Sequence, residues 1–128
     1  MRISQSKADT LAVGISLLCS VHCLAMPLLI VTLPVLSGLF FAEESFHLWM
    51  VFAVLPISIY ALFLGRTTHG QNLPLLIGGV GLLVLVFAAL MGHDLLGEIG
   101  ERTLTVLGSA AVAVGHIWNH KIRQGSPA

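Results

Sequence analysis

Residues 73–92, LPLLIGGVGLLVLVFAALMG, form a run of 20 residues without a single charged side chain. A hydrocarbon layer about 30 Å thick takes about 20 apolar residues to cross as a helix, so this stretch reads as a transmembrane span. Outward from it lie three more apolar segments, at residues 10–41, 46–64 and 103–118. The breaks between segments are short and polar: residues 42–45, 65–72 and 93–102. Short connections favour an up-down-up-down order. The expected fold is therefore all-α, an integral membrane four-helix antiparallel bundle forming one domain over residues 1–128.

Composition agrees. Of 128 residues, 56% are hydrophobic and only 9% charged, where a soluble domain carries about a quarter charged. Mean hydropathy is +0.95. The formal net charge is zero, which offers no basic surface to a nucleic acid. No Gly-rich phosphate loop, serine triad or paired intramembrane carboxylate is apparent, so an enzyme is not expected. Arg2 and Lys7 ahead of an apolar run suggest a secretory leader, but no small-x-small cleavage site follows. Leu18 stands where a lipoprotein signal needs a small residue before Cys19.

Basic residues orient the chain. Arg2, Lys7, Arg66, Lys121 and Arg123 fall on one side of the spans and only Arg102 on the other. The positive-inside rule makes the first side cytoplasmic, with both termini there and the protein in the inner membrane. The first segment, at 32 residues, is longer than a span requires, and Pro27 and Pro34 interrupt it. Either its first turns lie along the cytoplasmic interface or the helix tilts and bends strongly. Gly108, Ala111 and Gly115 in the last segment, and Gly78, Gly79 and Gly81 in the third, read as faces for close helix packing.

Within the first segment lies Cys19-Ser20-Val21-His22-Cys23, holding both cysteines of the chain. At about 100° per residue, Cys19, His22 and Cys23 share one helical face, with Met26 a turn further on. Two thiols, an imidazole and a thioether form a ligand set for a soft or borderline cation such as Hg²⁺, Cu⁺ or Zn²⁺. A second cluster, His116, Asn119 and His120, repeats the same spacing at the cytoplasmic end of the last segment. A histidine pair one turn apart can clamp a metal ion while a neighbouring amide fixes a tautomer. An interfacial first turn would bring both clusters to one depth, as a mixed Cys/His site. His47 and the pair His93-Asp94 with Glu98 read as solvated groups at the outer interface, and His69 as an ordinary inner-loop residue.

Other readings use the same residues. Cys19 and Cys23 could cycle as a dithiol, although their Cα separation of about 6 Å is near the disulfide limit. His22 and His116 could be axial ligands of a haem held between helices. A subunit without any ligand is the plainest alternative.

The stretch Leu17-Leu18-Cys19-Ser20-Val21-His22-Cys23-Leu24-Ala25-Met26-Pro27-Leu28-Leu29 resembles the first helix of MerC-type mercury resistance membrane proteins. Gly115-His116-Ile117-Trp118-Asn119-His120-Lys121 is similar to their C-terminal stretch. The resemblance implies inner-membrane uptake of Hg²⁺ and delivery to a cytoplasmic acceptor, with Cys19 and Cys23 as the carrying thiols. Carriers of this type also have a second cysteine pair near the C-terminus, where this chain has His116 and His120. That departure makes Zn²⁺ a competitor to Hg²⁺. The expected metal ligands are thus Cys19, His22, Cys23, His116 and His120, with the ion as cargo and no prosthetic group. One small bundle leaves little room for an internal pathway, which a homo-oligomer would supply.

Overall fold

The structure, a computed structural model, describes residues 4–39 and 45–125; the side chains of Gln5, Ser20, Cys23, Pro27, Ile30 and Ser37 lie outside that description. Helix α1 runs Gln5–Thr32 and ends because Leu33 precedes Pro34, whose ring disfavours the helical conformation in the residue before it. A short 3₁₀ turn, Pro34–Gly38, follows. Helix α2 spans Ser45–His69 and passes Pro56 without ending. It stops at Gly70, whose φ of 73° suits glycine and whose N–H donates to the Arg66 carbonyl at 2.8 Å. Helix α3, Leu73–Phe87, carries Pro74 in its first turn, where a missing N–H is harmless. It continues as a π-turn, Ala88–Gly92, into α4, His93–Gly125.

Two expected loops are mostly helix. Residues 65–69 extend α2, and residues 93–102 belong to α4. What breaks the last stretch is Gly97, at φ 71° and ψ −178°, a conformation open essentially to glycine alone. Here the chain doubles back, so that a Cβ on Gly92 would lie 3.2 Å from the Cα of Glu101.

All regular structure among the described residues is helical. Among the described residues, three stretches are long and apolar enough to cross a membrane: Ser6–Met26, Ser45–His69 and Leu73–Gly125, the last including the reversal at Gly97. Apolar side chains such as Leu28, Val31, Leu83 and Ile99 face outward, whereas Asp9, Ser58, Thr105, Ser109, His116 and Asn119 are buried. This is the reverse of a water-soluble protein and suits a lipid surround.

Helices α3 and α4 run antiparallel in close contact. A Cβ on Gly81 would fall 2.7 Å from the Val112 nitrogen, and one on Gly115 would fall 2.8 Å from the Gly78 Cα. Without a hydrophobic drive between helices in lipid, such backbone proximity is what holds them. The expected glycine faces are therefore used, except that Gly79 points into open space.

Helix α1 packs against α4 through Ala8, Asp9, Ala12, Ser16 and Cys19, all buried. Its first turns are packed among the neighbouring helices. The surplus length lies after the cysteine region, where Leu24, Leu28 and Val31 are exposed.

Gly81→Ala and Gly115→Ala are each expected to destabilise by about 1–3 kcal/mol through overpacking. Gly79→Ala should instead gain about 1 kcal/mol of helix propensity. Thermal unfolding followed by circular dichroism in detergent checks both signs.

Candidate metal site

Two polar centres lie near opposite ends of the α1–α4 pair. The first is built on Asp9, buried to 1% exposure on the second turn of α1. His116 Nδ1 lies 2.6 Å from Asp9 Oδ1, and the proton between them is donated by the imidazole. Asn119 donates its Nδ2 protons to both Asp9 oxygens, at 3.1 and 3.2 Å, and to the carbonyl of Ala61 on α2. The Asn119 Oδ1 pairs with His69 Nε2 at 2.8 Å, and His69 Nδ1 accepts the Gln71 backbone N–H. Gly65 makes room for this amide, since a Cβ there would fall on the Asn119 side chain.

With Nδ1 committed to Asp9, a neutral His116 carries its lone pair on Nε2. That nitrogen is buried and has no hydrogen-bond partner among the described residues. His116 lines a cavity of about 300 Å³ together with Asp9, Val13, His120, Lys121 and Gln124. His120 Nδ1 is likewise buried and unpartnered, while its Nε2 meets Gln124 at 2.9 Å. A carboxylate behind an imidazole whose far nitrogen is bare is how proteins orient histidine ligands.

The second centre joins α1, α2 and the start of α4. His22 Nδ1 lies 3.3 Å from His47 Nε2, and the two rings meet edge to face. His47 Nδ1 lies 3.7 Å from Glu101 Oε1, and His93 Nδ1 lies 3.4 Å from Glu101 Oε2. Phe46 packs on the His22 ring with centroids 4.8 Å apart. Glu98 is engaged by Arg102, and His93, read from the sequence as a solvated group, meets Glu101 instead.

Cys19 sits one turn from this second centre. It is 4% exposed and packs with Met50, against Phe46 and Val106. Cys23 belongs to α1, but its side chain lies outside the described residues. Among the described residues, no three His, Cys, Asp or Glu side chains already surround one point as metal ligands.

The structure does not unite the two sequence clusters. Asp9, which meets His116, is ten residues before Cys19 on α1, or about 15 Å along the axis. A single Cys19/His116 site is therefore absent. His22 and His116 are separated in the same way by about 20 Å of helix, so they cannot both bind one haem iron. The sequence reading also missed Asp9, His69, His47 and Glu101 as partners. A signal for Asp9 was present in the chain: it adjoins a stripe of small residues, Ala8, Ala12, Ser16 and Cys19, at helical spacing. Glu101 was not findable without the reversal at Gly97.

Removing the carboxylate strands several buried donors, each worth about 1–3 kcal/mol. Asp9→Ala and His116→Ala should each destabilise the protein. In a double-mutant cycle their coupling should be about 0.5–3 kcal/mol, read from unfolding in detergent; additive effects would mean the hydrogen bond is not made.

The chain matches the model of the MerC mercury resistance protein family over residues 9–121. No curated relative and no solved structure matches it. The matched span starts at Asp9 and ends beyond His120, so it contains both polar centres and the cysteine motif between them. This membrane chain, with a buried thiol on its first helix and paired histidine centres on either side, belongs to the MerC mercury resistance protein family.

Proposed function

We propose that the protein binds a thiophilic metal ion, Hg²⁺ by family, and carries it inward across the cytoplasmic membrane. In this reading the helices form an antiparallel four-span bundle with both termini cytoplasmic, as the distribution of basic residues suggests. The centre at His22, His47 and Glu101 then faces outward, and the one at Asp9, His116 and His120 faces the cytoplasm. The observation that carries the reading is Cys19, a buried thiol one turn from His22 in a chain of this family. A thiol in an apolar setting is a poor ligand for hard cations and a good one for soft ones. Cys19 and Cys23 are the carrying thiols, and His22 assists from the same helical face.

His116 and His120 act last. The bare Nε2 of His116, held in place by Asp9, can take the ion from the thiols, and His120 lines the same cavity. Lys121 at that cavity adds like charge, which favours release to a cytoplasmic acceptor over retention. Imidazole nitrogens also favour a second reading, in which Zn²⁺ or Cu⁺ is the cargo. No prosthetic group and no catalysis enter either reading.

Purified protein in detergent is expected to bind Hg²⁺, and proteoliposomes containing it to take the ion up. The Cys19→Ser/Cys23→Ser double variant should lose both properties. Unchanged Hg²⁺ binding and uptake in that variant would sink the thiol reading.

A further inference from the structure

The second polar centre joins three segments of chain that the sequence keeps far apart, and its geometry has a chemical meaning of its own. We propose that His22 on α1 and His47 on α2 form a two-imidazole site for a borderline divalent cation, with Glu101 as the positioning carboxylate behind His47. The proposal deepens the reading of α1 as the metal-carrying helix and rests on it for the site's place in transport.

Three observations converge on it. The first is the nitrogen spacing. His22 Nδ1 and His47 Nε2 are 3.3 Å apart, within hydrogen-bond reach of each other. Two ligands of a tetrahedral Zn²⁺ at Zn–N distances of about 2.0–2.1 Å stand about 3.3–3.4 Å apart, the edge of the tetrahedron. The pair thus already holds the separation that one ion would impose.

The second is the environment behind the ligands. His47 presents Nε2 to His22 and turns Nδ1 toward Glu101, 3.7 Å away. A carboxylate that closes on the far nitrogen of a histidine to hydrogen-bond distance fixes its tautomer and makes it more basic toward a metal. Glu101 is itself buried, with its side chain 10% exposed, and its other oxygen faces His93. It is held there by the close approach of Gly92 across the Gly97 reversal.

The third is placement. Cys19 precedes His22 by three residues and so shares its face of α1. An ion held by the two imidazoles lies one turn from a buried thiol. Among the described residues, the set on offer is two nitrogens in position and one sulfur adjacent. A carboxylate and imidazoles at the outer mouth would collect a hydrated cation that a buried thiol in an apolar wall meets only rarely.

The test separates this site from the thiols. Zn²⁺ binding is measured by equilibrium titration on the full chain in detergent, in a Cys19→Ser/Cys23→Ser background. The thiol-free protein is expected to bind Zn²⁺, and His47→Ala or His22→Ala in that background to weaken binding at least about tenfold. Glu101→Gln should weaken it by about 10–100-fold, as loss of an orienting partner does. His47→Gln keeps a polar amide toward Glu101 and His22; it should restore thermal stability to any unfolded His47→Ala protein without restoring the ion. Zn²⁺ binding that His47→Ala and His47→Gln leave unaltered would overturn the proposal, as would thiol-free protein that binds none. The Hg²⁺ experiment above is scored independently, because it reads the thiols alone.

Discussion

A carboxylate buried at membrane depth must be satisfied from all sides, and the way Asp9 is satisfied determines much of this structure. Its oxygens take hydrogen bonds from His116 and Asn119 on α4, and Asn119 in turn reaches Ala61 and His69 on α2. Three helices are thereby tied at one level. In lipid the surrounding hydrocarbon offers no partner to a stranded polar group, so the network is a strong determinant of register. A shift of α1 by one turn would take Asp9 away from both donors. That register is also what puts Cys19 beside Met50 and Val106 and brings His22 opposite His47. The second centre is therefore positioned by the first, through a rigid helix.

The α3–α4 pair supplies the other constraint. Gly78, Gly81, Gly108 and Gly115 bring two backbones into contact, and such an interface tolerates little sliding. Its far end is closed by the π-turn at Ala88–Gly92 and the glycine conformation at Gly97. Extra or unusual turns of this kind redirect side chains where regular helix cannot. Here they fold the His93 turn back over α4, so that His93 and His47 reach the two oxygens of Glu101 from different elements.

How much of this was legible beforehand follows from the range over which each feature is encoded. The all-helical character and the presence of long apolar helices were legible because 20 charge-free residues at 73–92 have one physical solution in a membrane. The glycine faces and the Cys19–His22 spacing were legible because helical periodicity is local. The helicity of residues 93–102 was not. Their polarity reads as a loop, yet their polar groups are consumed by one another and by α2. His69 and His47 looked ordinary because their partners, Asn119 and Glu101, are more than 45 residues away in sequence. Polar contacts between helices obey no spacing rule, so only the packing reveals them.

The separation of the two centres constrains any account of transport. In the transport reading proposed above, a cation leaving the level of Cys19 would have about 15 Å of helix to pass before reaching His116. At levels between them the buried side chains include Ser58 on α2 and Ser109 on α4, whose hydroxyls have no hydrogen-bond partner among the described residues. Hydroxyl oxygens are weak ligands for soft cations and adequate partners for water or hydrated ions. On such a path they would reduce the desolvation cost without adding a deep well on the way. Strong ligands at two ends and weak ones between favour release from one end followed by capture at the other. On the proposed reading, the ion's affinity for the thiol level would govern the rate of crossing, and imidazoles beside that thiol would moderate it by offering an alternative ligand.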